Sequence, residues 1–201
     1  MKIGLYVLLV VLMMAVPVLA QENPPPKGFQ YYVSDDGLFA VTIPKSWIAS
    51  VEDNYPFLTL ASSEQTLTSG EIASGERLIG LAVMPLDSLS LFGFEDYDAE
   101  STPEDLVDNF AAWIFGDDTT VKIRPAEPLL IGDHEIGRVY ITTMDTEGML
   151  LAYIDSEILY VIITTTALDE LAPFEVSAFK IIATLEFRAT SDELKEMLGF
   201  E

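Results

Sequence analysis

Four carboxylates stand close together at Glu95, Asp96, Asp98 and Glu100, and acids spaced this way can converge on one hard cation. Calcium needs only oxygen ligands, about six to eight of them. An EF-hand count from Asp96 places acids at the first, third and fifth loop positions. Ser101 then stands where the glycine belongs, and Val107 where the bidentate glutamate belongs, so that motif fails. What remains is a looser calcium site at Glu95, Asp96, Asp98 and Glu100, or one at Asp117 and Asp118. The competing reading is a solvated acidic loop that also favours the start of the helix after it.

His134 is the only histidine, set in Gly132-Asp133-His134-Glu135. Asp133 or Glu135 could orient it as a base toward a Ser or Thr elsewhere. No strand-turn-helix nucleophile motif supplies that partner, and an exposed turn histidine is the expectation. One His and no Cys exclude an imidazole or thiolate zinc site. An enzyme would then need two of the clustered acids in one cleft with separated pKa values. Trp47 and Trp113, with Tyr31, Tyr32, Tyr153 and Tyr160, could line a ligand pocket. The spacing favours core instead, with Trp113 on the buried face of a helix and Trp47 just after a strand. No glycine-rich phosphate loop precedes a helix, so no nucleotide cofactor is expected.

The chain carries 33 acidic and 10 basic residues, a net charge of −23. Nucleic acid is bound by neutralising phosphates with Lys and Arg, and the scattered cations here argue against it. Anionic membrane surfaces are disfavoured for the same reason. The acidity suits a basic partner, divalent cations or a salty medium, and at minimum it keeps the protein soluble.

The elements that would position these groups begin after a leader. Met1 and Lys2 precede an apolar run from Ile3 to Val16, then Pro17 and Val18-Leu19-Ala20, the order of a signal peptide cut between Ala20 and Gln21. The run is too short and interrupted for a spanning anchor, so the expectation is a secreted or periplasmic protein with no stable membrane insertion after cleavage. Residues 21–27 hold Pro24, Pro25 and Pro26, a stiff spacer. Residues 28–201 then suffice for one domain.

Phe29–Val33 and Leu38–Ile43 read as a hairpin around Ser34-Asp35-Asp36-Gly37, an Asp-Gly turn signal. Asp35 and Asp36 serve that turn. Phe57–Ala61 and Leu78–Met84 are further strands, separated by a Ser, Thr, Gly and Glu rich stretch that reads as an exposed loop. Pro85–Glu100 is a second irregular stretch. Ser101 or Thr102 caps a helix with Pro103 in its first turn and Leu106, Phe110, Trp113 and Ile114 on one face; Gly116 ends it. Strands follow at 120–123, 128–131, 135–143, 149–154 and 158–166, the last three an antiparallel meander. Ala172–Leu185 returns to helical spacing through Phe174, Ala178, Ile181 and Leu185. Thr190 and Glu193 form a capping box for a last helix with Leu194 and Met197 inward and Gly199 as its stop.

The implied class is α+β, a mainly antiparallel β-sheet with an N-terminal β-hairpin and flanking helices. Tyr31–Trp47, YYVSDDGLFAVTIPKSW, resembles the opening of the PsbP-like family through Gly37, Ile43, Pro44 and Trp47. Ile131, Gly132, the strand from Arg138 to Thr143, the hairpin to Tyr160 and the helix with Ile181 and Ile182 resemble its C-terminal half. The likeness covers most of 28–187 and implies an α/β/α sandwich. The family includes an extrinsic photosystem II subunit, a Ran-binding transport factor and exported bacterial proteins of unknown role. By analogy it implies a non-enzymatic accessory or binding role through contacts with a protein partner or envelope complex. The basic residues those relatives use have no counterpart here, so no functional residue carries over.

Overall fold

A computed structural model describes residues 24–52, 55–92, 102–116 and 118–199. In chain order the strands are β1 (Phe29–Val33), β2 (Phe39–Pro44), β3 (Ile48–Val51), β4 (Phe57–Ala61), β5 (Arg77–Pro85), β6 (Lys122–Ile123), β7 (Glu127–Ile131), β8 (His134–Thr142), β9 (Thr146–Asp155), β10 (Ile158–Ala167) and β11 (Glu186–Phe187). The helices are α1 (Glu64–Ser69), α2 (Pro103–Phe115), α3 (Leu171–Ile182) and α4 (Ser191–Leu198), with a 3₁₀ segment at Leu86–Phe92. None of these helices is long and apolar enough to cross a membrane.

The hairpin forms as its turn chemistry dictates. Gly37 takes φ 75°, and the Asp36 carboxylate accepts the Leu38 N–H at 3.0 Å. Ser34 Oγ accepts the Phe39 N–H at 2.9 Å. The hairpin stays apart from the main sheet and instead joins β11 in a three-stranded sheet ordered β1-β2-β11. The larger sheet has eight strands, seven on one path, β3-β4-β5-β10-β9-β8-β6, and the eighth, β7, also paired to β8. Every pairing is antiparallel.

Side chains alternate across a strand, so one sheet can bury two faces. Leu58, Leu81, Met149, Leu151 and Ile162 pack on one face with α3 and with Phe39, Val41 and Ile43 of β2. Val139, Leu150, Ala152 and Val161 pack on the other with α2. Covered on both sides, β9 and β10 read as nearly continuous apolar runs rather than alternating ones. The result is the α+β sandwich that the sequence implied.

Caps set the helix starts. Thr102, and not Ser101, caps α2: its hydroxyl accepts the Asp105 N–H at 3.2 Å while the Asp105 carboxylate accepts the Thr102 N–H at 3.0 Å. Thr190 and Glu193 close the same reciprocal box on α4, and Gly199 ends that helix at φ 74°.

Four expectations need correction. Trp113 is 54 % exposed and Ile114 36 %, because the buried stripe of α2 is Leu106, Val107, Phe110 and Ala111. A stripe with an alanine lets the helix come close to the sheet at Gly137, where a bulky indole would hold it away. Met197 is 36 % exposed, since the inward face of α4 runs through Leu194 and Leu198. The stretch after β4 is not all loop: Ser63 Oγ accepts the Thr66 N–H at 3.1 Å and starts α1. Finally, Ile48–Val51 forms β3, a strand the periodicity did not announce.

Candidate functional site

Glu95, Asp96, Asp98 and Glu100, with Asp117, lie outside the described residues. Asp118 is a turn-former whose carboxylate accepts the Thr120 N–H at 2.9 Å and its hydroxyl at 2.7 Å. Those bonds hold its pKa below the usual carboxylate range. Among the described residues no three His, Asp or Glu side chains gather as a metal site would require. His134 opens β8, exposed, with its ring 5.1 Å from that of Tyr153. Tyr153 in turn stacks on Tyr160 at 4.6 Å and 4°. These aromatics are packing on a sheet face, and burial raises both phenol pKa values, that of Tyr160 to about 12. Trp47 is half-buried, 5.9 Å from the Phe174 ring, consistent with a core role.

Two ion-pair clusters are the most buried charges described. Arg138, 13 % exposed, bridges Glu127 at 2.6 Å and Glu175 at 2.5 Å, and its guanidinium lies 4.7 Å over the Tyr140 ring. Tyr140 donates its hydroxyl to Glu175 at 2.9 Å, and burial followed by this bond pushes its pKa up to about 12. Glu170 accepts the Ser74 hydroxyl at 2.6 Å and the Gly75 N–H at 2.9 Å and pairs with Arg77. Ser74, then Gly75, then Arg77 bring its pKa down to about 2. Each cluster ties separate elements together: β7, β8 and α3 in the first, β5 and the start of α3 in the second. With their charges consumed in this way, the clusters explain the architecture rather than a reaction.

The remaining feature is the sheet edge at β3. Among the described residues it pairs with β4 alone, in register Ile48↔Ala61, Ala49↔Leu60, Ser50↔Thr59 and Val51↔Leu58. Beyond the strand the Glu52 N–H donates to the Phe57 carbonyl at 3.0 Å. Hydrogen-bonding direction alternates along an antiparallel strand, so Ser50 and Ile48 also turn their main-chain groups to β4. The N–H and C=O of Ala49 and Val51 therefore point outward, away from the sheet. A trough of about 450 Å³ runs along this edge, lined by Ala49, Ser50, Val51 and Glu52 on one side and by Tyr32, Asp35 and Asp36 of the hairpin on the other. Tyr32 reports the local field: burial first, then the charges of Asp35 and Asp36, raise its pKa. An apolar groove of about 360 Å³ meets the trough at Glu52 and includes Tyr55, Phe57, Met84 and Leu198.

Nothing in the residue types of β3 marks this edge. Asp35 and Asp36 carry half of its sequence signal, beyond the turn they form.

Comparison with solved structures places the fold. The chain is similar to cyanobacterial PsbP (CyanoP) from Synechocystis sp. PCC 6803, with a TM-score of 0.53 at 9 % identity over 80 % of this chain and 92 % of that one. It is also similar to the Ran-binding protein Mog1p of Saccharomyces cerevisiae, at 0.46 and 11 % over 85 % and 90 %. A third likeness is to LpqN of Mycobacterium tuberculosis, involved in cell envelope biogenesis, at 0.44 and 8 % over 78 % and 88 %. No protein-family model and no curated protein sequence matches the chain. By the likeness to CyanoP, the PsbP-like fold expected from Tyr31–Trp47 and from the C-terminal half is the fold of the molecule.

Proposed function

From that fold and from the edge of β3, which no second described strand pairs, we propose that the protein is an exported, non-enzymatic accessory domain that docks on a protein partner or envelope complex. The observation that carries the reading is the pair of outward main-chain sites at Ala49 and Val51. Sheet edges invite strand pairing, and folded proteins guard them with Lys, Pro, bulges or covering elements. The four-residue β3 sequence Ile-Ala-Ser-Val carries no Lys and no Pro, and the hairpin beside it leaves a trough instead of a lid. The leader at residues 1–20 supports export, and the net charge of −23 keeps such an edge from aggregating while the protein is free.

Site-directed photo-crosslinking in the producing cell tests this. A photoreactive residue at Ser50 should give one discrete adduct outside the cytoplasm, and the same probe at Val176, 63 % exposed on α3, should not. Ala49→Pro should abolish the adduct, since it removes an outward donor and leaves the bonds to β4 in place. Equal labelling from both positions, or none from Ser50, contradicts the reading.

A further inference from the structure

The trough at β3 has a definite chemistry, which the docking role above does not by itself specify. An incoming segment can bond to Ala49 and Val51 only if it is extended, because outward N–H and C=O groups two residues apart match the repeat of a strand. Four residues of β3 set its length at about 13 Å, using roughly 3.3 Å per residue. Its side chains must alternate. Those turned toward the hairpin lie on the face of Ala49 and Val51 and meet Tyr32, Asp35 and Asp36, while Glu52 ends the run on the face of Ile48 and Ser50. No Lys or Arg is among the described residues lining the trough. Asp36 is engaged by the Leu38 N–H and the Ser34 hydroxyl, whereas Asp35 and Glu52 make no side-chain hydrogen bond among the described residues. Side chains turned the other way lie beside Ile48 and Ser50 and favour β-branched residues.

Charge also decides against a second copy of this chain as the occupant. Edge-to-edge pairing would bring two sets of Asp35, Asp36 and Glu52 together in a protein that already repels itself. The complement is cationic.

We propose that the β3 edge binds an extended basic segment of a partner protein, added as a further strand to the eight-stranded sheet, with Lys or Arg at alternate positions facing Asp35 and Asp36. This rests on the docking reading above and names its ligand class.

The test uses the purified wild-type protein and a labelled seven-residue peptide alternating Lys with Val. It should bind in the micromolar range, lose at least tenfold in affinity when Glu replaces Lys, and weaken as salt rises. N-methylation separates strand addition from loose charge attraction. Methylating alternate amides of one parity should cost at least tenfold, while methylating the other parity should cost little. Asp35→Lys, a charge reversal at an exposed turn position, should weaken binding at least tenfold without moving the melting temperature of the free protein by more than a few degrees. Equal tolerance of both methylation parities overturns the strand geometry, and equal binding of the Glu peptide overturns the basic ligand. If either occurs while the Ser50 adduct persists, docking stands and this ligand falls; if the adduct is missing as well, both fall.

Discussion

Gly137→Ala is expected to destabilise the fold by about 3–5 kcal/mol, far beyond what a single added methyl usually costs. A Cβ at this position would lie 1.8 Å from the Pro103 carbonyl oxygen and 2.9 Å from a Val107 methyl. The first of these is backbone, so no rotamer change relieves it, and α2 as a whole would have to lift from β8. Lifting α2 loosens Leu106, Val107, Phe110 and Ala111 together, all of which are at most 2 % exposed. Urea unfolding should show a lower midpoint with a similar slope. A change under about 1 kcal/mol would mean that α2 does not sit where the glycine allows it to.

The second large effect belongs to Arg138. Arg138→Met is expected to cost about 2–4 kcal/mol, because it strands two carboxylates that had a common cation. Glu175 is 23 % exposed and Glu127 47 %, so water relieves the second more than the first. The Arg138 Nε itself is buried with no partner among the described residues, a penalty that removal of the side chain abolishes and that keeps the net loss moderate. Adding Glu175→Leu to Arg138→Met should recover most of the loss, since replacing a buried pair by apolar groups is far cheaper than breaking it. A double-mutant cycle on urea midpoints measures that coupling. Simple additivity would show that the pair does not tie β8 to α3.

What could be read ahead of the structure follows the range of the interaction. The turn at Gly37, the cap of α4 and the strands from β8 to β10 depend on neighbours within a few residues, and each stands where its spacing placed it. The stripe of α2 was ambiguous, because Leu106 and Phe110 belong both to a face completed by Trp113 and Ile114 and to one completed by Val107 and Ala111. Close approach to Gly137, far away in sequence, chose the second. Likewise β3 has four residues with no alternation beyond Ile-Ala-Ser-Val, and only pairing with β4 makes it a strand. The open edge is a property of strand order, which no local pattern encodes. Hence the acids at 35, 36 and 52 could be found singly in the sequence but not as walls of one trough.

The most direct test of that edge is amide hydrogen exchange at β3. In the free protein the N–H groups of Ala49 and Val51 should exchange orders of magnitude faster than that of Ser50, which donates to β4. Saturation with the Lys-Val peptide should slow Ala49 and Val51 at least a hundredfold and leave Ser50 little changed. If Ala49 and Val51 are already protected in the free protein, or gain no protection when the peptide is bound, the β3 edge is not the docking surface.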